Sequence, residues 1–397
     1  MISDKTRLNL LLLMVSLALG VFVCEVAVRF IRPASDIFPA HPAVDPILGH
    51  RLQPYQSGHD ARGFRNESAE GCFPIICIGD SQIYGTGIPR RDAIPQQLSR
   101  LIKRPVYNMA MGGYGPVQYY QLWLDSRQMR PRTTIVAFFW GNDLLDANDL
   151  ATRQEHWRWL LKEKGDEGQL ADLPLCPRPY KRAAEIDAFH DPEIITTQLK
   201  ESGGLIWKLH AALRLHSALY ALSYEDLVKP LIQKILEKPQ HLRVPGAFTT
   251  PMVDTIFIPG INLMALDLRD ERVRTGLLIT QKTIELMTAQ ARPKDELIFA
   301  FIPTKENVYY DFLKDNKIGL PVEYECAVHY ERAVTRWLSR VITARGGRSL
   351  DLLPPLAQAA ATGRALYHAS SDAHTNVAGN RIIAGVLAHS VGGNFRP

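Results

Sequence analysis

From residue 73 onward, short apolar runs alternate with segments of helical periodicity, and the first three runs each lead into glycine. The stretches "FPIICIG" (73–79), "RPVYNMAMGGYG" (104–115) and "TTIVAFFWGND" (133–143) read as strands, with helices over 93–102 and 117–128 between them. The rhythm resumes with a helix over 270–291, the strand "ELIFAFIP", a helix over 326–345, the short strand "SLDLL" and a last helix over 376–389. Such alternation predicts an α/β fold, a parallel sheet with helices on both faces. In open sheets of this kind the functional crevice lies at the carboxyl ends of the strands.

Two parts of the chain break the rhythm. Residues 150–265 hold "LKEKGDEGQL", the amphipathic "LIWKLHAALRLHSALYAL" and "LVKPLIQKILEK", with few strand signals, and read as a helical insertion or cap. His210 and His216, on the amphipathic stretch, read as packing or surface residues. At the other end, "LNLLLLMVSLALGVFVC" (8–24) carries no charge and continues past Glu25 to Val28. As a helix it would span roughly 30 Å, the hydrocarbon thickness of a bilayer. Residues 1–32 are therefore expected to form a tail and transmembrane anchor. A cleaved signal peptide is the alternative, but no small-x-small site follows the apolar run.

Glu25 and Arg29 are four apart and can pair on one helix face. Lys5 and Arg7 on one flank nearly balance Arg29 and Arg32 on the other, so the positive-inside rule says little. The orientation adopted here is a short cytoplasmic tail and an extracytoplasmic domain. Residues 33–70 are rich in Pro and poor in periodicity, which predicts an extended stalk, with "HDARGFRN" as a turn. Residues 71–397 would be the globular domain.

At 397 residues and 46% hydrophobic, the chain can fill a sizeable core. The net charge of +5 is spread over mixed-sign segments, which argues against a nucleic-acid partner. Of the five cysteines, Cys24 lies in the anchor and Cys77 within a strand. Cys72 and Cys77 would lie roughly 16 Å apart on an extended strand, too far for a disulfide. A Cys176–Cys326 pairing stays open. No CxxC or Cys/His pair has zinc-ligand spacing, so no metal is expected.

Ser81, in "ICIGDSQIYGTGI", stands one residue past the Asp that ends the first strand. Gly, Asp and Ser are ordinary turn residues, and a serine hydroxyl needs a base to become a nucleophile. The other strand ends supply candidates. Gly113 lets a backbone N–H approach an oxyanion, Asn142 offers an amide donor, and the Ser81 N–H makes a third. Near the C-terminus, "SSDAHTNVAGNRIIA" puts Asp372 and His374 before the last helix, suited to a base and the group that orients it.

The ordered set "IGDSQ", "NMAMGGYGP", "FFWGND" and "DAH", bracketing nearly the whole soluble part, resembles the GDSL-type, or SGNH, hydrolase superfamily. The resemblance implies a flavodoxin-like three-layer αβα sandwich and cleavage or transfer of an ester acyl group, with no cofactor. It implies Ser81 as nucleophile, His374 as base, Asp372 as its orienting partner, and Ser81, Gly113 and Asn142 as the oxyanion hole. The superfamily usually places the Asp three residues before the His; here the step is two and Ser371 occupies the usual place. Either Asp372 still reaches Nδ1 through a shorter turn, or His374 is oriented by a backbone carbonyl.

"IPTKENVYY" resembles a segment of membrane-linked and polysaccharide-acetylating members, making Lys305 and Tyr309 candidates for substrate contact, with loop structure as the alternative. His368 reads as structural rather than a rival base, and Asp80 and Asp143 as turn residues. The chain lacks G-x-S-x-G, which disfavours the α/β-hydrolase elbow. The function expected is a membrane-anchored esterase acting on acyl, in particular acetyl, esters of carbohydrate or another envelope substrate. The alternatives are an O-acyltransferase modifying an extracytoplasmic polysaccharide and a non-catalytic binding subunit of an envelope assembly.

Overall fold

The computed structural model describes residues 4–38, 42–165, 167–177, 209, 212–214, 216–224 and 246–392. They fall into two compact units. The smaller contains helix α1 (Asp4–Ile31) and the short helices Ala34–Ile37 and Ala218–Ser223. The apolar side chains of α1, Leu8 to Val23, are exposed, and the helix is long and apolar enough to cross a membrane, as an anchor or a signal sequence would. Glu25 pairs with Arg29 at 2.7 Å. Its carboxylate also accepts from Ser217 Oγ at 2.9 Å and from the Ala218 and Leu219 N–H groups at 2.8 and 2.9 Å, satisfying the donors that open the helix Ala218–Ser223.

The larger unit is built on five parallel strands: β1 (Ile75–Gly79), β2 (Val106–Ala110), β3 (Thr133–Phe139), β4 (Glu296–Ile302) and β5 (Arg348–Asp351). Their order is β2-β1-β3-β4-β5, the flavodoxin-like order, whose switch point lies between β1 and β3. The principal helices are α2 (Ile94–Ile102), α3 (Pro116–Ser126), α4 (Asp143–Arg153), α5 (Glu271–Gln290), α6 (Lys305–Asp315), α7 (Val322–Ala344) and α8 (Val377–Gly392).

Because strand side chains alternate between faces, a sheet covered on both sides needs continuous apolar runs. Ile75, Cys77, Ile135, Ala137, Ile298 and Ala300 share a core with Ile94 and Leu98 of α2 and Ile383 and Leu387 of α8. Ile76, Ile78, Val136, Phe138, Phe299 and Phe301 are equally buried. On their side α5 packs against α3 and α4, and Tyr119 of α3 meets Phe138 edge-on with ring centroids 5.6 Å apart. The structure thus has the parallel sheet and the two helical layers expected from the hydrophobic pattern.

The segment expected as a stalk behaves differently. Residues 43–51 form a hairpin, Ala43–Asp45 with Gly49–Arg51, within the larger unit, and Asp60, Arg65 and Asn66 are buried. Asn66 covers the free edge of β2 as another strand's backbone would: its Oδ1 accepts from the Asn108 N–H and its Nδ2 donates to the Asn108 carbonyl, both at 2.9 Å. Arg65 donates to the carbonyls of Gly85 at 2.5 Å and Ile88 at 2.9 Å, filling the loop that follows Ser81. This order comes from polar side chains bonding distant backbone, which leaves no hydrophobic periodicity to read.

Within 150–265, α4 runs on to Arg153 and residues 248–266 join the larger unit as an antiparallel pair, Phe248–Thr250 with Val253–Phe257, and the helix Pro259–Leu266. His210 and the stretch 227–238 lie outside the described residues. Cys176 and Cys326 form a disulfide, and Cys72 and Cys77 are free.

Gly276 of α5 lies against the backbone of α4: a Cβ there would come within 1.7 Å of the Leu144 carbonyl oxygen. Gly385 of α8 has open space instead. Gly276→Ala is therefore expected to destabilise by about 3 kcal/mol or more by forcing two helices apart. Gly385→Ala should stabilise by about 0.5–1 kcal/mol through helix propensity. Chemical-denaturation midpoints of the two variants check the contrast.

Candidate active site

Ser81 begins a one-turn helix, Ser81–Tyr84, directly after β1. Asp80 caps that helix by accepting from the Gln82 N–H at 2.9 Å, and its other oxygen accepts from the Ser81 hydroxyl at 3.3 Å. The turn is tight: a Cβ at Gly79 would meet Ile83 at 2.6 Å.

Gln82 is the link to the C-terminal loop. Its Nε2 donates to the Ala373 carbonyl at 3.1 Å, and its Oε1 accepts from the Thr375 N–H at 3.3 Å. One side-chain amide thereby grips the backbone on both sides of His374 and carries that histidine to the serine loop. His374 Nδ1 lies 2.5 Å from Asp372 Oδ1, which also accepts the His374 N–H at 2.9 Å. The two-residue step is thus long enough for the side chains to meet, because the turn folds the carboxylate back over its own i+2 residue as Asx turns do. Burial pushes the Asp372 carboxyl up, but the hydrogen bonds and charge of His374 outweigh it and hold the group at about 2. Asp372 therefore stays ionised and fixes Nδ1 as the protonated nitrogen, leaving Nε2 to accept a proton.

The oxyanion candidates come from β2 and β3. Gly113 has φ +76°, a left-handed backbone that glycine alone adopts without strain, and a Cβ on its neighbour Gly112 would lie 3.7 Å from Ser81 Cβ. Asn142 opens α4, and its Nδ2 donates to Asp146 Oδ2 at 2.6 Å, leaving its second amide hydrogen for another acceptor. Ser81, Gly113 and Asn142 follow β1, β2 and β3 at the carboxyl end of the sheet, and Gln82 holds the loop of Asp372 and His374 to the segment that Ser81 begins. Lys305 and Tyr309 do not open to solvent. Lys305 is fully buried and donates to the Ser370 and Asp372 carbonyls at 3.3 and 3.0 Å. The Tyr309 hydroxyl donates to the Arg364 carbonyl at 3.2 Å and accepts from the Leu366 N–H at 3.1 Å. Both brace the loop that bears Asp372 and His374.

Three carboxyls crowd behind the serine loop. Burial pushes Asp80 up to about 6 and Asp146 up to about 7, and raises Asp143, whose neighbour Asp80 adds to the effect. Asp143 is held by the Tyr119 hydroxyl at 2.8 Å and the Phe139 N–H at 2.9 Å. Sequence reasoning had a signal for Asp146, four residues after Asn142 on a helix, and none for Gln82, whose partners lie some 290 residues away. Among the described residues no group of three His, Cys, Asp or Glu side chains is placed to hold a metal ion.

No protein-family model matches the chain, and no curated protein matches it. Among solved structures, a phospholipase A1 from Streptomyces albidoflavus NA297 aligns over 81% of this chain and 99% of its own at 10% identity, with a TM-score of 0.35.

Two outcomes follow from this geometry. Gln82→Leu is expected to free the His374 loop while Asp372 and His374 stay paired, seen as faster amide hydrogen exchange at Ala373–Thr375. Asp80 and Asp146 keep their protons to about 6 and 7, above the ordinary carboxyl value of 3.8. Each therefore favours folding fully below that ordinary value and loses its contribution as pH rises through the folded value. The thermal midpoint should fall between about pH 4 and 7.5, and Asp146→Asn should flatten the upper part of that fall.

Proposed function

We propose that this protein is a serine esterase that forms an acyl-enzyme on Ser81. The observation that carries the reading is the Gln82 grip: the residue next to Ser81 bonds the backbone on both sides of His374, whose Nδ1 meets the Asp372 carboxylate. His374 Nε2 takes the Ser81 proton as Oγ attacks the ester carbonyl carbon. The carbonyl oxygen becomes an oxyanion held by the N–H groups of Ser81 and Gly113 and by Asn142 Nδ2. As the tetrahedral intermediate collapses, the C–O bond to the leaving alcohol breaks and His374 returns its proton to that alcohol. Water or a sugar hydroxyl, deprotonated in turn by His374, then attacks the acyl-enzyme and releases Ser81. In the resting state the Ser81 hydroxyl donates to Asp80, so the cycle begins when it turns to His374.

The acyl group in this reading is small, acetyl in particular, and the substrate an ester of carbohydrate or another envelope molecule. An N-terminal apolar helix and the Cys176–Cys326 disulfide support a catalytic domain outside the cytoplasm, where disulfides persist. Lys305 and Tyr309 act as braces of the histidine loop in this reading, not as substrate contacts.

A fluorophosphonate probe on the full-length protein in detergent tests the assignment. Wild type should label covalently, Ser81→Ala should not, and Asn142→Ala should lose roughly 10²- to 10³-fold in turnover of an acetyl ester. Labelling that survives Ser81→Ala, or an intact protein that does not label, overturns the assignment; the second result would favour a binding subunit. Acetylated glycan in place of free acetate, on adding a polysaccharide acceptor, identifies transfer rather than hydrolysis.

A further inference from the structure

His50 lies on the second strand of the hairpin that precedes the catalytic motifs, and its Nε2 is 2.9 Å from the Gly112 carbonyl oxygen. A carbonyl oxygen only accepts, so Nε2 carries the proton. The Gly112 carbonyl and the Gly113 N–H belong to one planar trans peptide and point in opposite directions. Fixing the carbonyl on one edge therefore fixes where the N–H aims on the other. That peptide needs fixing. It joins two glycines, the second at φ +76°, and such a peptide has little of its own to resist flipping. The imidazole also packs on the loop, with Cε1 3.4 Å from where a Cβ at Gly113 would sit.

His50 is itself held. Its carbonyl accepts from the Tyr114 hydroxyl at 2.8 Å, and its ring tilts against the Tyr114 ring at 5.1 Å between centroids. Gln118 of α3 anchors the same hairpin by donating to the Leu48 carbonyl at 3.3 Å, while its Oε1 accepts from the Gly115 N–H at 3.0 Å. The hairpin and the glycine loop thus form one hydrogen-bonded body.

We infer that His50 is a positioning residue for the oxyanion hole: its Nε2–H holds the Gly112–Gly113 peptide so that the Gly113 N–H faces the developing negative charge. The inference rests on the reading of Ser81 as the nucleophile. A hydrogen bond to the carbonyl also polarises the peptide and strengthens its N–H as a donor. The effect belongs to the transition state, where the oxyanion forms, so it acts on kcat and leaves substrate binding nearly untouched.

The test is steady-state hydrolysis of p-nitrophenyl acetate by the full-length protein in detergent, beside a thermal melt. His50→Phe keeps a ring and removes the donor; kcat should fall about ten- to hundredfold with KM within about twofold. His50→Gln restores an N–H donor at similar reach and should recover most of kcat. Wild-type kcat in His50→Phe, with activity still abolished by Ser81→Ala, overturns the inference and leaves the nucleophile standing. A His50→Gln variant that melts like wild type yet is as slow as His50→Phe also overturns it. Activity that persists in Ser81→Ala overturns both readings.

Discussion

Parallel pairing of β1 with its two neighbours is the constraint on which the site depends. Five parallel strands all finish at the same edge, so the segments after β1, β2 and β3 that bear Ser81, Gly113 and Asn142 are delivered to one rim, while the His374 loop, which follows the helix Leu353–Ala361, is held there by Gln82. Parallel sheets must be covered on both faces, and that requirement uses the helices: α2 and α8 on one side, α3, α4 and α5 on the other. Coverage then fixes where each loop can go. Asn142 opens α4, whose backbone lies against Gly276 of α5, and His374 precedes α8, which lies on α2. The candidate site thus rests on layer packing together with a few hydrogen bonds.

Those hydrogen bonds are mostly side chain to backbone and reach across long sequence separations. Gln82 grips the histidine loop, Lys305 holds its other limb, Arg65 fills the loop after the serine, and His50 reaches the glycine pair. Loops have few apolar contacts of their own, so buried amides, a guanidinium and an ammonium take over the task that leucines perform in the core. Burying Lys305 lowers its affinity for a proton, offset by the nearby charges of Glu306 and Asp372. The carboxyls of Asp80, Asp143 and Asp146 show the same logic in reverse: burial raises their affinity for a proton.

This division explains what could be read from the sequence. The strands and their helices were legible because a doubly covered sheet requires unbroken apolar runs, and "TTIVAFF" can hardly be anything else. Ser81, Gly113, Asn142, Asp372 and His374 stood out because they punctuate those runs. Within 33–70, expected as a stalk, the order of residues 60–66 was not legible because it comes from Asn66 bonding the edge of β2 and Arg65 filling a loop, neither of which has a period. His50 and Gln82 were invisible for the same reason: a single polar residue acquires meaning only from the carbonyl it meets, and that carbonyl is far along the chain.

The disulfide has a consequence for how the halves of the site find each other. Gln82 and Thr375 are separated by 293 residues along the backbone, while Cys176 and Cys326, which lie between them, are separated by 150. Neither Ser81 nor His374 lies inside the covalent ring that the cysteines close. In the oxidised chain the path between the two halves bypasses the ring and is about half as long. The search by which an unfolded chain brings the His374 loop to Gln82 is shortened accordingly, so the oxidation state of two residues remote in sequence from both segments changes how far apart along the chain they must find each other.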